Sequence, residues 1–176
     1  SGRHGVGAKL AVNYAAQFTA DEIESTTLEN NFTSRDYYKL SVVPEYAIAL
    51  KDNEHITLRV GAAYDDTNRD DSSVSVISDI VWHKVNTDKS TRTVNFSYSE
   101  ATQVAGYTAI GGSTSSGLFR SNDTLKRETS KNLELGVSLD EATWRVDSAV
   151  FYRWDNELTD WTYSFDSTSA RVANPV

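Results

Sequence analysis

Asn132-Leu133-Glu134-Leu135-Gly136-Val137-Ser138-Leu139 is followed, after Asp140-Glu141-Ala142, by a run from Trp144 to Trp154, Trp144-Arg145-Val146-Asp147-Ser148-Ala149-Val150-Phe151-Tyr152-Arg153-Trp154. The first run sets Leu133, Leu135, Val137 and Leu139 opposite Asn132, Glu134, Gly136 and Ser138. The second sets Trp144, Val146, Val150, Tyr152 and Trp154 opposite Arg145, Asp147 and Arg153. A period of two belongs to a strand, and so short a connection predicts an antiparallel hairpin. Trp144 and Trp154 stand ten residues apart on one face. Ten residues at about 3.3 Å each, tilted about 45°, rise roughly 23 Å, which matches the ~25 Å apolar band between the aromatic girdles of a transmembrane barrel.

Five more alternating runs precede this hairpin: Val6 to Phe18, Tyr38 to Leu50, Ile56 to Tyr64, Val74 to Trp82 and Arg92 to Glu100. The fourth is less clean, because Ile77 and Val81 break its polar face. Residues 51–55, 86–90 and 140–142 are short connections, whereas 19–36, 65–73, 101–130 and 155–170 are long. Short and long alternate along the chain. An up-and-down meander then carries its tight turns at one rim and its long loops at the other, as transmembrane barrels do. The prediction is an all-β, antiparallel up-and-down transmembrane β-barrel portion, seven long strands over residues 6–154, with an eighth starting near Arg171. The apolar sets face lipid. Arg59, Asp79, Glu134, Arg145, Asp147 and Arg153 line a hydrated lumen. The alternative is a soluble all-β adhesin or carbohydrate-binding module, a sandwich in which Leu133, Leu135, Val137 and Leu139 pack against a second sheet.

Composition supports the β reading. Ser and Thr supply 39 of 176 residues, Tyr leads the aromatics, and Pro contributes only 2. No apolar run is long enough for a membrane helix. A net charge of −8 argues against a nucleic-acid partner. The absence of Cys rules out a disulfide framework and a thiolate metal site. The N-terminus lacks the apolar core of a signal peptide, which suggests a trimmed or internal start.

Catalytic signatures are missing. There is no His-Glu-x-x-His, phosphate loop or nucleophile elbow, and the stretch from Gly111 to Gly117 is read as a flexible loop. An enzyme is therefore not expected, nor a cofactor, and no residue is assigned to a metal. The histidines are isolated in sequence, with His55 and His83 at or near tight turns, and are read as surface residues. Asp65-Asp66-Thr67-Asn68-Arg69-Asp70-Asp71 is rich in oxygen ligands but lacks calcium-loop spacing, so a solvated, self-repelling loop is expected.

The segment from Gly117 to Gly136, with Leu125-Lys126-Arg127-Glu128-Thr129-Ser130 and Asn132-Leu133-Glu134-Leu135-Gly136 at its heart, resembles the TonB-dependent outer-membrane receptors. Their barrels carry asparagine-proline-x-leucine-lysine-proline-glutamate-threonine-serine and then asparagine-tyrosine-glutamate-leucine-glycine. Asp123 and Arg127 replace the two prolines and Leu133 the tyrosine, changes expected to loosen the loop. Tyr98-Ser99-Glu100, Gly106-Tyr107-Thr108-Ala109-Ile110 and Phe151-Tyr152-Arg153-Trp154 look similar too, as does Leu158-Thr159-Asp160-Trp161.

The resemblance implies a mid-barrel portion, residues 1–176, of a 22-stranded barrel, without its plug domain and C-terminal strands. It further implies a bacterial outer-membrane receptor that takes up a scarce solute such as a ferric siderophore or cobalamin. Its partners would be the TonB energy-transducing complex acting through the plug, a small-molecule or metal-chelate ligand, and outer-membrane lipid with lipopolysaccharide. Ligand contact is expected at Tyr107, Phe119 and Arg120 in one loop and at Trp161 and Tyr163 in the next. There, aromatics can cover a bulky chelate and Arg120 can pair with an anionic one.

Overall fold

The structure is a computed structural model that describes residues 1–26, 34–113, 118–168 and 170–176. Eight strands run β1 (Gly2–Gly5), β2 (Leu10–Glu22), β3 (Ser34–Lys51), β4 (Glu54–Thr67), β5 (Asp70–Val85), β6 (Thr91–Gln103), β7 (Glu128–Asp140) and β8 (Arg145–Asn156). They form one sheet in sequence order, each strand antiparallel to the next, with β1 and β8 at its edges. A short helix α1 (Tyr107–Gly111) lies between β6 and β7. A separate two-stranded sheet pairs β9 (Trp161–Phe165) with β10 (Arg171–Pro175).

Register carries the apolar face across the whole wall. Tyr14 opposes Val42, which opposes Ala62, which opposes Val76. Trp82 opposes Val94, and Val94 opposes Val137. Leu135 opposes both Phe96 and Val150. No second sheet covers this face among the described residues. Val60 is 64% exposed and Val150 73%. A sandwich would bury these side chains, so the soluble alternative has no core to stand on. An apolar face this continuous is stable in hydrocarbon and costly in water. Phe18 and Tyr38 touch at 4.9 Å near one end of the strands, where Tyr98, Tyr152 and Trp154 also cluster.

Three expectations change. The run Val6 to Phe18 is not one strand: the chain reverses at residues 6–9, where Gly7 takes φ +119° and the Val6 N–H donates to the Leu10 carbonyl at 2.8 Å. An alternating pattern cannot show such a reversal when the turn residues happen to keep the period. Residues 65–73 are not a long loop, because β4 and β5 extend until only Asn68 and Arg69 separate them. The long-loop rim thus includes one tight turn, although residues 6–9, 52–53, 86–90 and 141–144 still share the other rim. Finally, a strand does start at Arg171, but it pairs with β9 rather than extending the wall beyond β8.

Proline and glycine mark one irregularity. Pro44 has no N–H, and the β3–β4 ladder is interrupted between Val42↔Ala62 and Glu45↔Arg59. Gly61 fills the gap: a Cβ there would lie 2.6 Å from the Val43 Cα, so only glycine admits so close an approach.

Candidate functional site

The inner face is polar because the pleat sends every second residue inward. At mid-height, Arg59 on β4 bonds Glu45 on β3 at 2.8 Å and Asp79 on β5 at 3.0 Å. Arg3 on β1 reaches the same Glu45 at 2.8 Å. Positive and negative groups alternate across the strands, so each charge is held by its neighbours. Arg145–Asp147 and Arg153–Asp155 repeat the pattern along β8 at 2.8 and 2.9 Å.

At the long-loop rim, residues 104–113 and 118–127 fold together with 157–168 and 170–176 as a cap. Ala105, Ala109 and Ile110 bury against Leu125 and Trp161. Leu118 and Arg120 hydrogen-bond through their backbones to Ala173, each at 2.8 Å, beside the parallel bridge Phe119↔Ala173. The Asn122 N–H donates to the Ala109 carbonyl at 2.9 Å and its side-chain amide donates to Pro175 at 3.2 Å. Gly112 closes α1 with φ +62°, where a Cβ would lie 2.6 Å from the Ser121 nitrogen. The Gly111–Gly117 stretch is therefore partly built into the cap, and its residues 114–117 lie outside the described residues.

Two contacts fasten the cap across the wall. The Tyr107 hydroxyl donates to the Asp21 carbonyl at 3.0 Å and to its carboxylate at 2.8 Å, joining α1 to β2 on the far side of β3, β4 and β5. Arg35 bonds the same carboxylate at 2.7 Å and stacks over the rings of Tyr37 and Tyr107. Burial, and after it the bond to Asp21, push the Tyr107 phenol above its usual range. The second contact is Arg127, which is only 9% exposed; it pairs with Asp65, itself 8% exposed, and donates to the Asp71 carbonyl at 2.6 Å. Asp65 also accepts from the Thr102 hydroxyl at 2.9 Å. The acidic run at 65–71 is therefore no solvated loop. Arg127, expected to loosen its loop by replacing a proline, instead ties it to β4 and β5.

Beneath this clamp lies a cavity of about 350 Å³, lined by Gln17, Thr19, Arg35, Tyr37, Lys39 and Thr102 among others. Asp21 is matched by Arg35 and Asp65 by Arg127, whereas Lys39 enters no ion pair among the described residues. The cavity therefore presents amide, hydroxyl and phenol groups beside the Lys39 ammonium.

The five residues singled out by sequence divide. Tyr107 lies at the clamp over this cavity. Phe119 and Trp161 meet edge to face at 5.0 Å inside the cap, and Arg120 faces Asp166 at 3.7 Å. Tyr163 is 56% exposed with the Arg171 guanidinium 4.0 Å over its ring. Gln17 and Lys39 were missed because they lie inside regular alternating runs, where a lumen-facing polar residue looks like any other, and Tyr37 because β3 starts before the run that predicts it.

Comparison with known proteins agrees with this architecture. A family model described as TonB dependent receptor-like, beta-barrel matches residues 2–172. No curated protein and no solved structure matches the chain.

Proposed function

Because the chain belongs to the TonB-dependent receptor-like β-barrel family, we propose that it forms part of the wall of a receptor that takes up a scarce solute, of the ferric siderophore or cobalamin kind. The family implies an outer-membrane barrel. The observation that supports an uptake role is the pairing of a lipid-ready outer face with a polar inner face, capped at one rim over a cavity. In this reading the cap is extracellular. Solute is held between cap and wall by Lys39, Tyr37 and Thr102, with Tyr163 and Tyr107 as aromatic contacts. Phe119, Trp161 and Arg120 hold the cap in shape behind them. A plug outside this chain couples the barrel to TonB, and no bond is made or broken in the solute.

Binding to the complete protein in detergent tests this. A panel of ferric siderophores and cyanocobalamin is titrated while tryptophan fluorescence is followed. The expected result is saturable binding to at least one probe, weakened tenfold or more by Lys39→Gln or Tyr37→Ala. Binding that neither variant changes would remove the cavity from the reading. In cells, an impermeant thiol reagent should label Ser167→Cys at the cap rim and spare Lys89→Cys at the other. The reverse pattern would invert the orientation.

A further inference from the structure

Two of the three histidines that look isolated in sequence meet in space. His55 on β4 and His83 on β5 are directly opposed in register, and their rings lie 5.1 Å apart between centroids. Both share the inner face with Arg59 and Asp79, two rungs further along the same pair of strands. His83 has its Nδ1 2.9 Å from the Thr93 hydroxyl on β6.

We infer that His55 and His83 chelate a divalent transition-metal ion at the tight-turn rim of the lumen wall. Three observations carry this. First, a tetrahedral ion with metal–nitrogen bonds of about 2.0–2.1 Å holds two imidazole centroids roughly 5 Å apart, the separation already present. Second, ligating histidines characteristically engage their other ring nitrogen in a hydrogen bond that orients the ring; the Thr93 hydroxyl meets Nδ1 of His83, which leaves Nε2 to the metal. Third, the inner-face rung through the pair reads Ala49, His55, His83, Thr93, Ser138 and Asp147, with no cation to repel the ion. Lys84 lies one residue on and so on the outer face, opposite Glu54.

Two imidazoles without carboxylate or thiolate select nickel, copper or zinc over calcium or magnesium, with copper(II) held tightest. Water completes the coordination. The pair stands at the opposite rim from the capped cavity, so it is a second site, independent of the solute contacts proposed above.

Copper(II) is titrated into the complete protein in detergent and followed by electron paramagnetic resonance. Transport is not measured, so failure of the uptake reading leaves the result intact. The expected spectrum shows coupling to two imidazole nitrogens. His55→Asn and His83→Asn should each remove one nitrogen and weaken binding at least tenfold, while His4→Asn on β1 changes nothing. Thr93→Val should keep both nitrogens yet bind about tenfold more weakly, as loss of an orienting partner does elsewhere. Folded-barrel migration in unheated gels identifies any variant that fails to fold. A spectrum without two-nitrogen coupling, or one that survives in the folded double variant His55→Asn/His83→Asn, would overturn the site.

Discussion

The wall and the cap differ in whether apolar side chains form a core of their own. Along β2 to β8 the large apolar residues point away from the protein: Phe18 is 60% exposed and Val150 73%. The cap instead gathers a small core, in which Ala173 is fully buried and Val104, Ala105 and Ala109 nearly so, although Phe165 stays 75% exposed. The wall draws its internal order from ladder hydrogen bonds and inner-face ion pairs, and leaves its apolar face to the membrane. The cap stands clear of the band and must bury its own small core against itself. The same residue type therefore means different things in the two regions. Valine on β8 marks lipid, and valine on β10 marks packing.

Substitutions that add size or charge separate the two regimes. Val150→Arg places a charge in hydrocarbon and should cost roughly 1–4 kcal/mol depending on depth. Val150→Phe should cost almost nothing, because lipid accepts the larger ring. Unfolding in liposomes measures both, and a strongly destabilised Val150→Phe protein would break the comparison. Ala173→Phe is the matching change in the cap. Overpacking there should cost about 1–3 kcal/mol, localised to the cap. Limited proteolysis should then cut within 104–127 while the barrel still migrates as folded. Loss of the barrel itself would show that wall and cap form one cooperative unit.

The smallest effect expected is acid sensitivity at the other rim. In the turn 86–90 the Asp88 carboxylate accepts from the Ser90 hydroxyl at 2.7 Å and the Ser90 N–H at 3.0 Å. Those bonds, the hydroxyl's first, hold its carboxyl below the usual carboxylate range. A depressed folded value means the contribution is fully present above the ordinary pKa of about 3.9 and is lost as pH falls through the lower folded value. Hydrogen exchange at the Ser90 amide, corrected for its intrinsic rate, should be flat above about pH 5 and speed up below it. Asp88→Asn should abolish that change; a pH response that persists in this variant would assign it elsewhere.

Much of the wall was legible because a barrel strand repeats one instruction. Leu133, Leu135, Val137 and Leu139 report their face whatever lies beside them, since the pleat alone fixes which side each residue takes. Strand ends were less legible. Asp65, Thr67 and Asp70 look like loop residues, yet they continue β4 and β5 because Arg127, remote in sequence, neutralises Asp65. The reversal at residues 6–9 was hidden by an uninterrupted alternation.

The sequence by itself determined the seven long strands of the wall, their outward face and the rim that carries most of the tight turns, because these follow from a local period of two, but it showed neither β1 nor the tight turn at residues 68–69. Tertiary structure alone decided the cap, the cavity beneath it and the histidine pair. Tyr107 meets Asp21 across 86 residues, Arg127 meets Asp65 across 62, and His55 meets His83 only through the β4–β5 register. Contacts of that kind depend on which strands lie side by side and how loops fold back over them, and no periodicity along the chain records either.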